Sequence, residues 1–281
     1  KMSSFIKFKM NQFRKSVRDE ESLANIDFLE KSLLCACIHR RQYDKFNSYQ
    51  LNHSKQYGNE FLEIRKKYDF KHFTQEVFYF HNGLRFQTDK IKKYIKERDI
   101  LDIGSYNGDS CLVLKDYTNR KIYSYDISMK NIGSYMKTMN NNNIPKEKYE
   151  IFHLGMSDKI GQIKMRSCGN NGCSILSEGN EVVNLTTIDN EVQKHNLNVG
   201  FIKADVEGIA FNVVKGGIKT IKKQKPVLEI AAYHGFDELF GIFDLLKEDI
   251  GGYIFQIHSE NLVILSAGEI ALFAYPSELL D

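Results

Sequence analysis

No apolar run in this chain of 281 residues approaches the roughly 18 residues that a membrane span needs. The basic, polar start KMSSFIKFKMNQFRK also lacks the apolar stretch of an export signal. A cytoplasmic protein with no membrane span is therefore expected, and Lys1, ahead of Met2, is read as a remnant of expression. Cysteine is sparse and poorly spaced. Cys35, Cys37, Cys111, Cys168 and Cys173 are an odd set without a CxxC pair, which implies neither a disulfide framework nor a zinc site. The histidines show no HExxH or HxH spacing, so no metal is expected. No internal repeat is present, and the NNNN at 140–143 is too short for low complexity.

What is present suffices to bury roughly three quarters of the unfolded surface, enough for one large domain with an appendage. The net charge of +3 conceals an asymmetry. Residues 1–98 carry 21 Lys and Arg against 12 Asp and Glu, giving +9, and the remainder carries 18 against 24, giving −6. A basic front could meet nucleic acid, lipid phosphate or a protein partner, but mixed-sign helical stretches are commonly solvated faces. With no RNA-binding motif beside it, nucleic acid is not the expected partner.

Between Asp19 and Phe70 the apolar residues recur at helical spacing, as in Leu23, Ile26, Leu29, Leu33 and Leu34, then Phe61, Leu62 and Ile64. Residues 1–75 are read as a helical N-terminal region that offers a surface for a homo-oligomer. An apolar patch, EVFYFHNGL, and a helix over DKIKKYIKERD follow. From there short apolar strands alternate with helical stretches, the pattern of a parallel sheet of βα units. The strands are placed at 99–103, 121–126, 149–154, 199–204 and 226–231. Two more, at 253–257 and 270–275, are joined by too short a link for a crossover helix and should run antiparallel to each other. The result is a seven-stranded α/β nucleotide-binding sheet whose ligand sits at the carboxyl ends of the strands. GQIKM and EVVNLTTIDNEV should form an extra hairpin with RSCGNNGCS at its tip.

The strand ILDI carries Asp102 next to its end and breaks into a turn from Gly104 through Ser105 and Tyr106 to Gly108, where backbone must approach a ligand closely. The spacing is G-x-x-x-G and not the G-x-G-x-x-G of a dinucleotide loop, which weakens an NAD reading. Asp102 would crowd a pyrophosphate but suits a ligand with an ammonium and a sulfonium, as in S-adenosyl-L-methionine; the alternative is a strand-end residue or a helix cap. Asp126, followed by Ile127, ends the second strand, where a carboxylate accepts hydrogen bonds from both ribose hydroxyls of an adenosine. After the third strand, Met156, Ser157 and Asp158 either read an adenine edge or form an ordinary turn. The fourth strand ends IKADVEG, with Lys203, Asp205 and Glu207 on one side if the extended conformation persists. They form either a catalytic cluster or a salt-bridged strand end. Past the fifth strand, His234 is either a proton acceptor or structural.

IKADVEGIAFNVVKGG, followed by KPVLEIAAYH, resembles the signature of the FkbM family of S-adenosylmethionine-dependent methyltransferases, and HNGL, DIGSYNGDS and LTTIDNEV are similar to its upstream pieces. The resemblance covers roughly residues 76–275. It implies a class I methyltransferase fold over 76–281, Rossmann-like and mostly parallel with an antiparallel last strand, and O-methylation of a sugar, a glycan intermediate or another small metabolite. By position it implies that Asp102, Gly104, Gly108 and Asp126 hold the cofactor and that Asp205 and Glu207 face the acceptor. Ile209-Ala210-Phe211 departs from relatives that carry an acid after the glycine. The base is expected to be His234 or Asp205, with Glu207 orienting the acceptor.

Overall fold

In the computed structural model the described residues are 4–35, 45–165, 181–233, 235–260 and 270–280. Three helices come first: α1 (Ser4–Ser16), α2 (Glu20–Leu34) and α3 (Ser48–Lys67). Each has a local cause. Asp19 caps α2 by accepting from the Ser22 amide, and Asn47 and Gln50 form a reciprocal capping box at the start of α3. α1 lies inside the expected helical region of residues 1–75 but ahead of Asp19, where the apolar periodicity is first evident. Met10, Phe13 and Val17 nevertheless fall on one side of the chain at helical spacing and are buried.

The one-turn helix α4 (Gln75–Phe78) and α5 (Asp89–Lys96) lead into alternating units: β1 (Asp99–Ile103), α6 (Asp109–Leu114), β2 (Ile122–Asp126), α7 (Met129–Asn141) and β3 (Tyr149–His153). Three short strands follow, β4 (Gly155–Met156), β5 (Gly161–Met165) and β6 (Glu181–Thr186). The chain continues with α8 (Ile188–Lys194), β7 (Val199–Ala204), α9 (Ala210–Lys215), α10 (Ile218–Gln224), β8 (Val227–Ala231), α11 (Phe236–Asp244), β9 (Tyr253–Ser259) and β10 (Ile270–Pro276).

Seven of these strands form one sheet in the order β3-β2-β1-β7-β8-β10-β9. The first five are parallel, and β10 runs antiparallel to both β8 and β9. This is the seven-stranded α/β nucleotide-binding sheet that the sequence pattern led to, and it agrees with the class I methyltransferase fold that the family resemblance implies. β1, β7, β8 and β10 are buried along their whole length, which is why their residues are mostly apolar; Asp99, Asp102, Lys203 and Glu229 are the charged exceptions. The expected hairpin forms as β5 against β6, and β4 adds parallel to β6 to make a second, three-stranded sheet. Its tip, RSCGNNGCS, lies outside the described residues.

β9 is one edge of the main sheet, and the N-terminal helices cover it. Ser22 Oγ accepts from the Ile257 amide at 2.9 Å, Asn25 Nδ2 donates to the Ile257 carbonyl at 2.9 Å, and Val17 bridges Phe255. Phe13 stacks on Phe243 at a centroid distance of 4.1 Å, and Lys9 pairs with Asp244. Met10, Phe13, Ile26 and Leu29 belong to the same core as Leu101, Ile202 and Leu228 of the central strands. Among the described residues no helix is long and apolar enough to cross a membrane.

Candidate active site

A cavity of about 770 Å³ opens at the carboxyl ends of β1, β2 and β7. Its floor is set by the turn after β1. Gly104 has φ +77°, and a Cβ there would lie 1.9 Å from the carbonyl oxygen of Asp205, so the β1 and β7 tips meet backbone to backbone. The Asp205 amide donates to Ile103 O at 3.0 Å and locks that contact. Gly108, φ +85°, begins α6, and a Cβ there would press on Met139 and Tyr135 of α7. Packing inside the protein is thus sufficient to require glycine at both positions, and Gly104 also lines the cavity.

Lys203 crosses beneath this turn. Its Nζ donates to Gly104 O at 3.0 Å and stands 3.6 Å from Asp102 Oδ1, an ion pair too long for a hydrogen bond. Burial works against the charged ammonium, but Asp102, then Asp205, Glu76 and Glu229, together outweigh it and hold Lys203 above its ordinary value. For Asp102 the balance goes the other way: burial pushes the carboxyl up more than Lys203 lowers it. Asp102 is fully buried, and its charge faces Lys203, where the sequence reading had set it beside the cationic end of a ligand.

Asp126 does stand in the cavity wall. One oxygen accepts from the Tyr106 amide at 2.9 Å, the other from the Ser128 amide at 2.8 Å, and Asn131 Nδ2 reaches both. Burial raises its carboxyl above the usual range despite these donors. Tyr106 adopts φ +45° to present that amide and leaves its ring 55% exposed at the mouth. Past Ile127 the wall turns apolar through Leu154, Met156, Ile163 and Leu185, a slot formed where the small sheet packs against the large one.

Asp205 also lines the cavity and accepts from Tyr233 Oη at 3.2 Å. Glu207 also lines the cavity, but the strand ends at Ala204 and Glu207 sits in an exposed turn. The same-side extension from Lys203 through Glu207 therefore breaks after Asp205. Ser105, Gly108, Ser157 and Asp158 are not among the lining residues; Ser105 is buried, and Asp158 pairs with Lys215 at 3.2 Å. His234 lies outside the described residues. Two wall residues escaped the sequence reading. Asp109, buried at the start of α6, has its carboxyl pushed up to about 6 by burial, and Glu76 enters from α4. The signal for Glu76 is its place in the sequence: a charge at the head of the apolar patch EVFYFHNGL.

The Methyltransferase FkbM domain profile matches residues 102–255, more than half of the chain. No curated protein matches it. Among solved structures, methyltransferase FkbM from Methylobacillus flagellatus KT superposes with a TM-score of 0.65 at 14% identity, covering 96% of this chain and 58% of that one. The chain therefore spans 58% of that protein's length, and the likeness is one of fold. An rRNA methylase from Streptococcus thermophilus gives a TM-score of 0.43 at 11% identity, covering 67% and 92%. M. capricolum TrmK in complex with S-adenosyl-homocysteine gives 0.40 at 12%, covering 69% of each chain; neither of these two carries further argument.

Proposed function

Because the chain belongs to the FkbM methyltransferase family, we propose that it moves a methyl group from S-adenosyl-L-methionine to a hydroxyl oxygen of a sugar, glycan intermediate or other small metabolite. In this reading residues 76–281 are the catalytic unit, and 1–75 are the helical region that closes the sheet edge. The observation that carries it is Asp126, a carboxylate in the cavity wall at the tip of β2, in one cavity with the apolar residues Leu154, Met156, Ile163 and Leu185 and with Asp205. The residues fit the cofactor chemically. Asp126 suits a ribose diol, the slot from Leu154 to Leu185 suits an adenine ring, and the acidic wall of Asp109, Asp205 and Glu76 suits a cationic ligand.

When bound, S-adenosylmethionine supplies an electrophilic methyl group attached to a good leaving group. The protein's task is then to align an acceptor oxygen, exclude water and take up one proton. Asp205 is the group for the proton. Its backbone is fixed by Ile103 and Gly104, and the Tyr233 hydroxyl orients one oxygen and leaves the other for the acceptor hydroxyl. Glu207, in its exposed turn at the rim, orients the acceptor.

Calorimetry with S-adenosylmethionine and NAD side by side tests the cofactor. The first should bind and the second should not, and Asp126→Ala should weaken binding about 10- to 100-fold, the worth of hydrogen bonds to a charged group. A methyl-transfer screen of nucleotide sugars and glycan intermediates then tests the reaction. NAD binding alone would sink the reading. Donor binding without turnover on any acceptor would make the protein a cofactor-binding module, and salt-sensitive RNA methylation would replace the acceptor class.

A further inference from the structure

Three glutamates that stand far apart in the chain meet beside the cavity. Glu76 comes from α4, Glu229 from the middle of β8, and Glu260 directly follows β9. One carboxylate oxygen of each lies within 4.8 Å of the other two. Glu229 and Glu260 are 1% and 2% exposed, and Glu229 Oε2 and both Glu260 oxygens lack a hydrogen bond of normal geometry among the described residues. Glu76 lines the cavity and gives the cluster an opening to solvent.

The charge around them does not balance. Glu76, Asp102, Asp109, Asp205, Glu229 and Glu260 form one electrostatically linked set of six carboxyl groups, and the ammonium within it, Lys203, is already engaged by Gly104 and Asp102. His258 faces Glu260, with Nδ1 3.4 Å from Oε1. Burial first, and neighbouring carboxylates second, push Glu76 and Glu229 well above the usual range, as expected of acids without a counterion. Buried carboxylates in this position require protons or a cation.

We propose that Glu76, Glu229 and Glu260 hold a divalent, oxygen-preferring cation in the wall of the cavity, where it ligates hydroxyl oxygens of the methyl acceptor. The all-oxygen set selects a hard ion. Two oxygens on one ion lie at most twice the metal–oxygen distance apart, about 4.6–5.2 Å for Ca²⁺ and about 4.0–4.2 Å for Mg²⁺. Three oxygens all at the 4.8 Å limit would stand about 2.8 Å from a central ion, so the side chains would draw in slightly for Ca²⁺ and further for Mg²⁺. A vicinal diol, as on a sugar, would supply two further ligands. The role toward the acceptor rests on the methyl-transfer reading; the binding of the ion does not.

The test uses the full chain, freed of metal by a chelator and titrated with Mn²⁺ without any methyl donor, followed by electron paramagnetic resonance and thermal unfolding. A single ion should bind and raise the unfolding midpoint. The near-isosteric Glu229→Gln should lower affinity about 100-fold, at the upper end of what altered support of a metal site costs. Its ion-free form should unfold at a higher temperature than the ion-free parent, because one uncompensated charge is gone. Glu260→Gln is the second variant should the first fail to fold. Absence of Mn²⁺ binding at millimolar concentration, or binding unchanged in both variants, overturns the proposal in favour of protonated acids or an ion elsewhere. Calorimetry with S-adenosylmethionine on the same samples separates the two readings. Donor binding without Mn²⁺ sinks the cation alone; Mn²⁺ bound at the glutamates without donor binding supports the cation and sinks the donor.

Discussion

Replacing Gly104 with alanine should destabilise the protein severely, and the size of the effect can be built from its parts. The residue holds φ +77°, a conformation that costs an alanine about 1–2 kcal/mol. The new Cβ would then sit 1.9 Å from Asp205 O, where real contacts stay at or above 3.0 Å, so 3.0 − 1.9 = 1.1 Å of movement is needed. Both sides of that contact are backbone at the centre of the sheet, and neither can swing away as a side chain would. Parting the β1 and β7 tips loosens the hydrogen bond from the Asp205 amide to Ile103, worth about 1 kcal/mol, and the one from Lys203 to Gly104, worth about 1.5–3 kcal/mol because it is charged. The total, about 3.5–6 kcal/mol, is a large share of the roughly 5–15 kcal/mol that holds a domain together. At about 2–4 °C per kcal/mol, the unfolding midpoint should fall by about 7–24 °C. Gly133→Ala is the control: it lies in α7 with nothing within 4 Å of the added Cβ, and it should gain about 0.5–1 kcal/mol. Thermal unfolding of the two variants and the parent decides the matter. A Gly104→Ala midpoint within about 2 °C of the parent would refute the backbone-contact argument.

Lys203→Met should cost about 3–5 kcal/mol, since it strands Asp102 buried and unpaired; a double variant with Asp102→Asn should recover part of the loss in urea unfolding, and no recovery would mean that the pair is not the cause. Phe13→Ala should cost about 3–5 kcal/mol by opening a cavity against Phe243 and Phe240, and a loss under about 1 kcal/mol would show that α1 does not dock as described. Burial first, then Arg85, holds His81 down at about 4 in the folded protein, against 6.5 when unfolded. The folded state therefore takes up its proton later than the unfolded chain, and stability present above pH 6.5 is lost as pH falls through that window, by up to about 3 kcal/mol at about 1.4 kcal/mol per unit. His81→Asn, which tolerates the φ of +56°, should flatten the urea-unfolding stability between pH 6.5 and 4; an unchanged slope would exclude His81 as the source.

The sheet was legible because its strands are defined by neighbours along the chain: DILDI and VGFIKA were bounded to the residue, and the closing pair was assigned its direction from the length of the link alone. The acid at the end of β2 was legible for the same reason, since a strand tip in this topology faces the ligand edge. Asp102 and Gly104 show where that logic stops. Both occupy the expected turn, yet what they touch is Lys203 and the carbonyl of Asp205, about a hundred residues away in sequence and joined to them only by β1 pairing with β7. No local pattern distinguishes a carboxylate that faces solvent from one that faces a buried ammonium in the adjacent strand. The glutamate cluster lies further beyond reach, because it needs α4, β8 and the end of β9 to converge. One trace of it was nevertheless visible. PVLEIA sets Glu229 inside an apolar strand flanked by parallel β7 and antiparallel β10, a position buried on both faces, where a lone carboxylate is expensive. A fold tolerates such a residue when something neutralises it, so an acid inside a central strand is itself a reason to look for a charge partner elsewhere in the chain or in a ligand.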